Sequence, residues 1–110
     1  MNILINWLVM TAAVIVSAYI LPGVTLSGFW AALLVALVLG LLNVSIKPLL
    51  LILTLPINIL TLGLFTLVIN ALIIMMASAI VPGFKVNGFW YSMLFSVVLS
   101  IVLYLINKAK

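Results

Sequence analysis

Four apolar stretches, Ile3 to Leu21, Phe29 to Ile46, Leu60 to Val81 and Phe89 to Ile106, occupy most of this chain. Each is close to the roughly 20 residues an α-helix needs to cross a hydrocarbon core. The rest cannot build a water-facing surface: 70% of the 110 residues are hydrophobic, the charged side chains are four lysines, and Asp, Glu, His, Arg and Cys are absent. Soluble domains carry about a quarter charged residues. The sequence therefore predicts a single all-α integral membrane domain over residues 1–110, with four transmembrane helices.

The same shortage excludes most chemistry. General acid–base catalysis, metal binding and activated nucleophiles draw on carboxylates, imidazoles and thiols, and Lys, Tyr, Ser and Thr stand here without an activating partner. No catalytic residue, metal site or cofactor is expected, and the chain is not read as an enzyme. A net charge of +4 raises the question of nucleic acid. The lysines are scattered, however, and form no basic patch, so the charge is read as topological. The segment ending "VSA" at Ala18 resembles a signal-peptide cleavage site, but no Lys or Arg precedes it. It is read as a retained helix.

The segment "PGVTLSGFW" at Pro22 to Trp30 returns 60 residues later as "PGFKVNGFW" at Pro82 to Trp90. Ile20, Pro22, Gly23, Gly28, Phe29 and Trp30 match Ile80, Pro82, Gly83, Gly88, Phe89 and Trp90. In each copy a helix ends at Pro-Gly, a short turn follows, and Gly-Phe-Trp opens the next helix where amphipathic rings favour the membrane interface. The match continues inward: Ala32, Ala36 and Gly40 recur as Ser92, Ser96 and Ser100, a small residue at every fourth position. In lipid such faces let helix backbones approach closely, so both are predicted to be packing seams.

Each copy is a helical hairpin, about 1–46 and 60–107, and two hairpins in series point the same way if the connection 47–59 does not cross. Both Pro-Gly turns then lie outside. With both termini in the cytoplasm, Lys47, Lys108, Lys110 and the terminal amine are inside and only Lys85 is outside, as the positive-inside preference asks.

Between the hairpins, Pro48 to Pro56 is about 14 Å long as a helix, too short to span. A separate short helix, bounded by the two prolines and interfacial or re-entrant, is expected there. The polar residues of this middle third, including Asn43, Lys47, Asn58 and Asn70, have no equivalents in the repeat: Asn43 aligns with Leu103 and Asn70 with Met10. Polar groups at membrane depth normally face protein or water, which makes these four the candidate functional positions. Asn70 is expected to hydrogen-bond a neighbouring helix or the 48–56 segment, and Lys47 to sit at headgroup level where its helix ends at Pro48.

At these residues the chain resembles the mycobacterial-type phage holin family, superfamily IV. The resemblance rests on "NVSIKPLLLILTLPINILTLGLFTLVINAL" followed by "VPGFKVNGFW", with Asn43, Lys47, Pro48, Pro56, Thr61, Leu62, Gly63, Asn70, Pro82, Gly83 and Gly88 at the family's positions. It implies a four-helix, multi-pass protein of the bacterial inner membrane of undetermined role, with some members associated with envelope stress. Three functions compete. The first is a structural or interaction protein whose partners are the lipid bilayer and a second copy or another membrane protein. The second is a holin-like oligomer that permeabilises the membrane, and the third is a small channel or carrier built around Asn43, Lys47 and Asn70. No small-molecule substrate is identified.

Overall fold

The computed structural model describes residues 3–61 and 63–109; Leu62, Lys110 and the terminal amine invoked above lie outside the described residues. The elements run α1 (Ile3–Ile20), β1 (Val24–Leu26), α2 (Phe29–Leu53), α3 (Leu55–Leu60), α4 (Phe65–Ile80), β2 (Phe84–Val86) and α5 (Gly88–Ala109). Among the described residues α1, α2 and α5 are long and apolar enough to cross a membrane, and α4 is a shorter apolar helix of 16 residues. At 1.5 Å per residue α4 is about 24 Å long. It starts at Phe65 rather than Leu60, because the residues before it fold into α3 and a turn.

The four longer helices close a ring in which α1 packs on α2 and α5, and α4 packs on α5 and α2. Val14, Val35, Leu39, Ile69, Phe95 and Leu99 fill its centre. Phe84, delivered by β2, lies against Phe95 with ring centroids 5.4 Å apart. The outside of the ring is no less apolar: Leu34, Leu37, Leu41, Leu94, Ile101 and Leu105 are all exposed. Such a surface is unfavourable in water and is solvated by acyl chains. The chain is a multi-pass membrane protein.

At one end the two Pro-Gly turns meet. β1 and β2 pair antiparallel, Val24 with Val86, Thr25 with Lys85 and Leu26 with Phe84. Beyond the ladder the Ser27 N–H donates to the Gly83 carbonyl at 2.8 Å and the Asn87 N–H to the Gly23 carbonyl at 2.9 Å. The two donors, Ser27 and Asn87, are 60 residues apart, and so are the two acceptors, Gly23 and Gly83. The glycines are explained by the same approach: a Cβ on Gly23 would lie 2.5 Å from the Tyr91 ring, and one on Gly83, at φ +88°, would collide with the Ser27 side chain and touch Ala31. Tyr91 and Ala31 are again matched positions. Each turn also carries an edge-on aromatic pair, Phe29 with Trp30 and Phe89 with Trp90, both at 6.0 Å.

The connecting segment differs from the sequence reading. Pro48 does not bound a short helix; α2 continues through it to Leu53, and the separate helix is Leu55–Leu60 with Pro56 in its first turn. Proline's fixed φ is compatible with a helix, and what it removes is one N–H and hence one bond to the carbonyl four residues back. Leaving the helix in an apolar medium would free several backbone groups at once, which costs more. The stop comes at Thr54. Its N–H donates to the Leu50 carbonyl at 3.0 Å and its hydroxyl to the same carbonyl at 2.6 Å, occupying acceptors that a helix end leaves open.

Candidate functional site

The polar residues of the middle third divide into two groups. Ser45, Thr54, Asn58, Thr61 and Thr66 are engaged with the protein itself. Ser45 donates to the Leu41 carbonyl at 2.6 Å. Asn58 Nδ2 donates to Thr66 Oγ1 at 3.0 Å, and the Thr66 hydroxyl lies 3.2 Å from Asn58 Oδ1. Thr61 Oγ1 accepts from the Phe65 N–H at 3.2 Å, and the Gly63 N–H, at φ +88°, donates to the Asn58 carbonyl at 2.8 Å. These bonds form the α3–α4 turn, so Asn58 is a structural lock there.

Asn43, Lys47 and Asn70 form the other group. Their side chains make no hydrogen bond to the protein among the described residues. All three line one cavity of about 90 Å³. Asn43 and Lys47 come from α2, one helical turn apart, which puts them on the same face. Asn70 enters from α4 and Ser96 and Ser100 from α5. Asn70 and Lys47 are half-buried, Ser96 is buried, and Asn43 and Ser100 are exposed. Asn70 thus lines the cavity, and its side chain makes no hydrogen bond to a neighbouring helix or to the 48–56 segment among the described residues.

The cavity has a direction. Counting along α4 from its turn end at Ile80, Asn70 lies about 15 Å down, and along α2 from Phe29, Lys47 lies about 27 Å down. The polar wall therefore runs from the middle of the bundle toward the end remote from β1 and β2. Met10 and Leu103, the repeat equivalents of Asn70 and Asn43, line the same space. Sequence reading assigned them no role, although the 60-residue offset had already paired them with the asparagines. Nor did it identify the Trp7 indole, which donates to the Leu33 carbonyl at 3.0 Å and ties α1 to α2.

The small-residue positions are mostly internal. Ala32 (0%), Ala36 (3%), Ser92 (0%) and Ser96 (6%) have almost no exposed surface within a single chain, whereas Gly40 and Ser100 are exposed. The serines bond to their own helix: Ser92 Oγ donates to the Gly88 carbonyl at 2.9 Å, Ser96 to Met93 at 2.7 Å and Ser100 to Ser96 at 2.9 Å. At the turns, Pro22, Gly28, Trp30, Pro82, Gly88 and Trp90 are exposed, while Gly23 is buried and Gly83 half-buried.

The family model of the mycobacterial phage holins with four transmembrane segments, superfamily IV, matches residues 1–105. Relatives include the uncharacterised membrane protein YvlD of Bacillus subtilis, 42% identical over 97% of this chain and 87% of the relative. An uncharacterised protein of Streptomyces coelicolor is 38% identical over 96% of this chain and 93% of its own length. No solved structure matches.

Proposed function

The chain belongs to the mycobacterial four-transmembrane phage holin family, superfamily IV, and from that premise we propose that it is a resident structural or interaction protein of the bacterial inner membrane. In this reading the hairpins 1–46 and 60–107 are parallel repeats joined by 47–59, with both termini cytoplasmic and both Pro-Gly turns outside. The strand pairing of the two turns supports it. So does the distribution of cations: Lys85 lies on β2 at the turn end, and Lys108 lies in the last turn of α5 at the other.

One observation carries the choice of function: the small-residue positions Ala32, Ala36, Ser92 and Ser96 are buried inside one chain, and most of the large hydrophobic side chains left exposed are Leu, Ile and Val. The holin reading needs the opposite arrangement, faces free for self-assembly and a polar surface to line the opening. The channel or carrier reading is favoured by the cavity at Asn43, Lys47 and Asn70. That cavity is small, about 90 Å³, and the chain has no Asp or Glu to couple protons.

Inducing the chain in a bacterium while following membrane potential and lysis tests the choice. The expected result is the response seen with an inert membrane protein of equal size. Abrupt depolarisation with lysis would install the holin reading. A slow leak abolished by Asn70→Met would install the channel.

A further inference from the structure

No acidic side chain exists anywhere in the chain to answer its lysines. Lys85 and Lys108 are exposed, and Lys108 Nζ lies 5.8 Å from the centre of the Tyr104 ring. Lys47 is half-buried and lines the cavity. Its ammonium has no counter-charge and no hydrogen-bond partner among the described residues. What the cavity does provide is free donors: the Lys47 ammonium and the carboxamide N–H groups of Asn43 and Asn70, none donating to a protein acceptor among the described residues. The hydroxyl protons of Ser96 and Ser100 are already committed to the Met93 and Ser96 carbonyls. A positive charge flanked by amide donors selects an oxyanion; a cation using the amide oxygens would sit against Lys47.

We infer that this cavity binds a phosphate group, held by Lys47, Asn43 and Asn70. Its volume of about 90 Å³ accepts a tetrahedral oxyanion. Apolar Met10, Leu39 and Leu103 line the same space. Such a mixed lining suits the headgroup phosphate of an anionic lipid entering from the Lys47 end, and a free phosphate ion shares the same chemistry. Only the lipid route rests on the proposed topology, with Lys47 at the cytoplasmic headgroup level. Binding in detergent does not depend on orientation, so it fails separately from that reading.

The purified chain in detergent is titrated with phosphatidylglycerol, phosphatidylcholine or inorganic phosphate, and thermal stability is followed. Asn70→Met and Asn43→Leu each install the residue that the other repeat copy carries, with as many side-chain heavy atoms as Asn, at positions that line the cavity, so the fold is expected to hold. Lys47→Met is compared with Lys85→Met, which removes the same charge at the far end. The expected result is stabilisation by phosphatidylglycerol over phosphatidylcholine, weakened on the order of tenfold in apparent affinity by Lys47→Met or Asn70→Met and unchanged by Lys85→Met. Equal stabilisation by inorganic phosphate, with the same dependence on the variants, keeps the site and makes free phosphate its source. A parent chain that does not distinguish the two lipids and ignores inorganic phosphate overturns the inference. So do Lys47→Met and Lys85→Met variants that respond alike.

Discussion

Thr25 and Lys85 face each other across the β1–β2 ribbon although 60 residues separate them, and they occupy the same position in the two copies of the repeated turn. Pairing of a position with its own copy is what a two-fold relation between hairpins produces. The paired Cα atoms of an antiparallel ladder are about 4.5–5.5 Å apart, within disulfide range, and the chain has no native cysteine. Thr25→Cys with Lys85→Cys should close an intrachain disulfide on mild oxidation, seen as a reducible mobility shift of the monomer. A crosslinked dimer instead would mean that the ribbon forms between chains.

The small faces of α2 and α5 are predicted to be tight at their turn-side positions and loose further down. Leucine at Ala36 or Ser96, both nearly fully buried, should overpack the bundle and lower stability by about 1–3 kcal/mol, read as thermal unfolding in detergent, with the oligomeric state unchanged. Gly40→Ala should be neutral or stabilising, because a Cβ there meets nothing within 4 Å. A change in oligomer size from the leucine variants would move the seam to an interface between chains.

Ser17 has a fully buried hydroxyl without a hydrogen-bond partner among the described residues, and its counterpart 60 positions on is Ala77. Ser17→Ala removes an unsatisfied polar group and should raise stability by on the order of 1 kcal/mol. A loss of stability of that size would show that the hydroxyl has a partner.

Thr66→Val removes the hydroxyl paired with Asn58 and keeps the side-chain shape. The expected loss is on the order of 1 kcal/mol. Faster amide exchange should be confined to the α3–α4 turn; protection equal to the parent's would mean that this pair does not hold the turn.

Much of this architecture was legible in residue order. The apolar runs located the helices, since nothing else can be built from such stretches in this composition, and Pro22-Gly23 and Pro82-Gly83 marked where chains turn. That the turns pair with each other was not legible, because three-residue strands such as Val24–Leu26 carry no distinctive pattern. Pro48 misled because local propensity ends a helix there, while an apolar surrounding penalises the broken backbone more heavily than one missing N–H. At the site, the mismatch of Asn43 and Asn70 with the repeat did single them out. Their convergence with Lys47 on one cavity, and the separate use of Asn58 in a turn, depend on how α2 and α4 are rotated about their axes, and that is decided by packing across the whole ring.

Sidedness is the claim on which the account turns, and labelling single cysteines in intact cells tests it most directly. Cysteine at Thr25 or at Lys85, both exposed on the ribbon, should react with a membrane-impermeant thiol reagent. Cysteine at Leu60, exposed at the end of α3, should react only after the cells are opened. Labelling at Leu60 from outside, or at only one of the two ribbon positions, would contradict parallel hairpins with cytoplasmic termini.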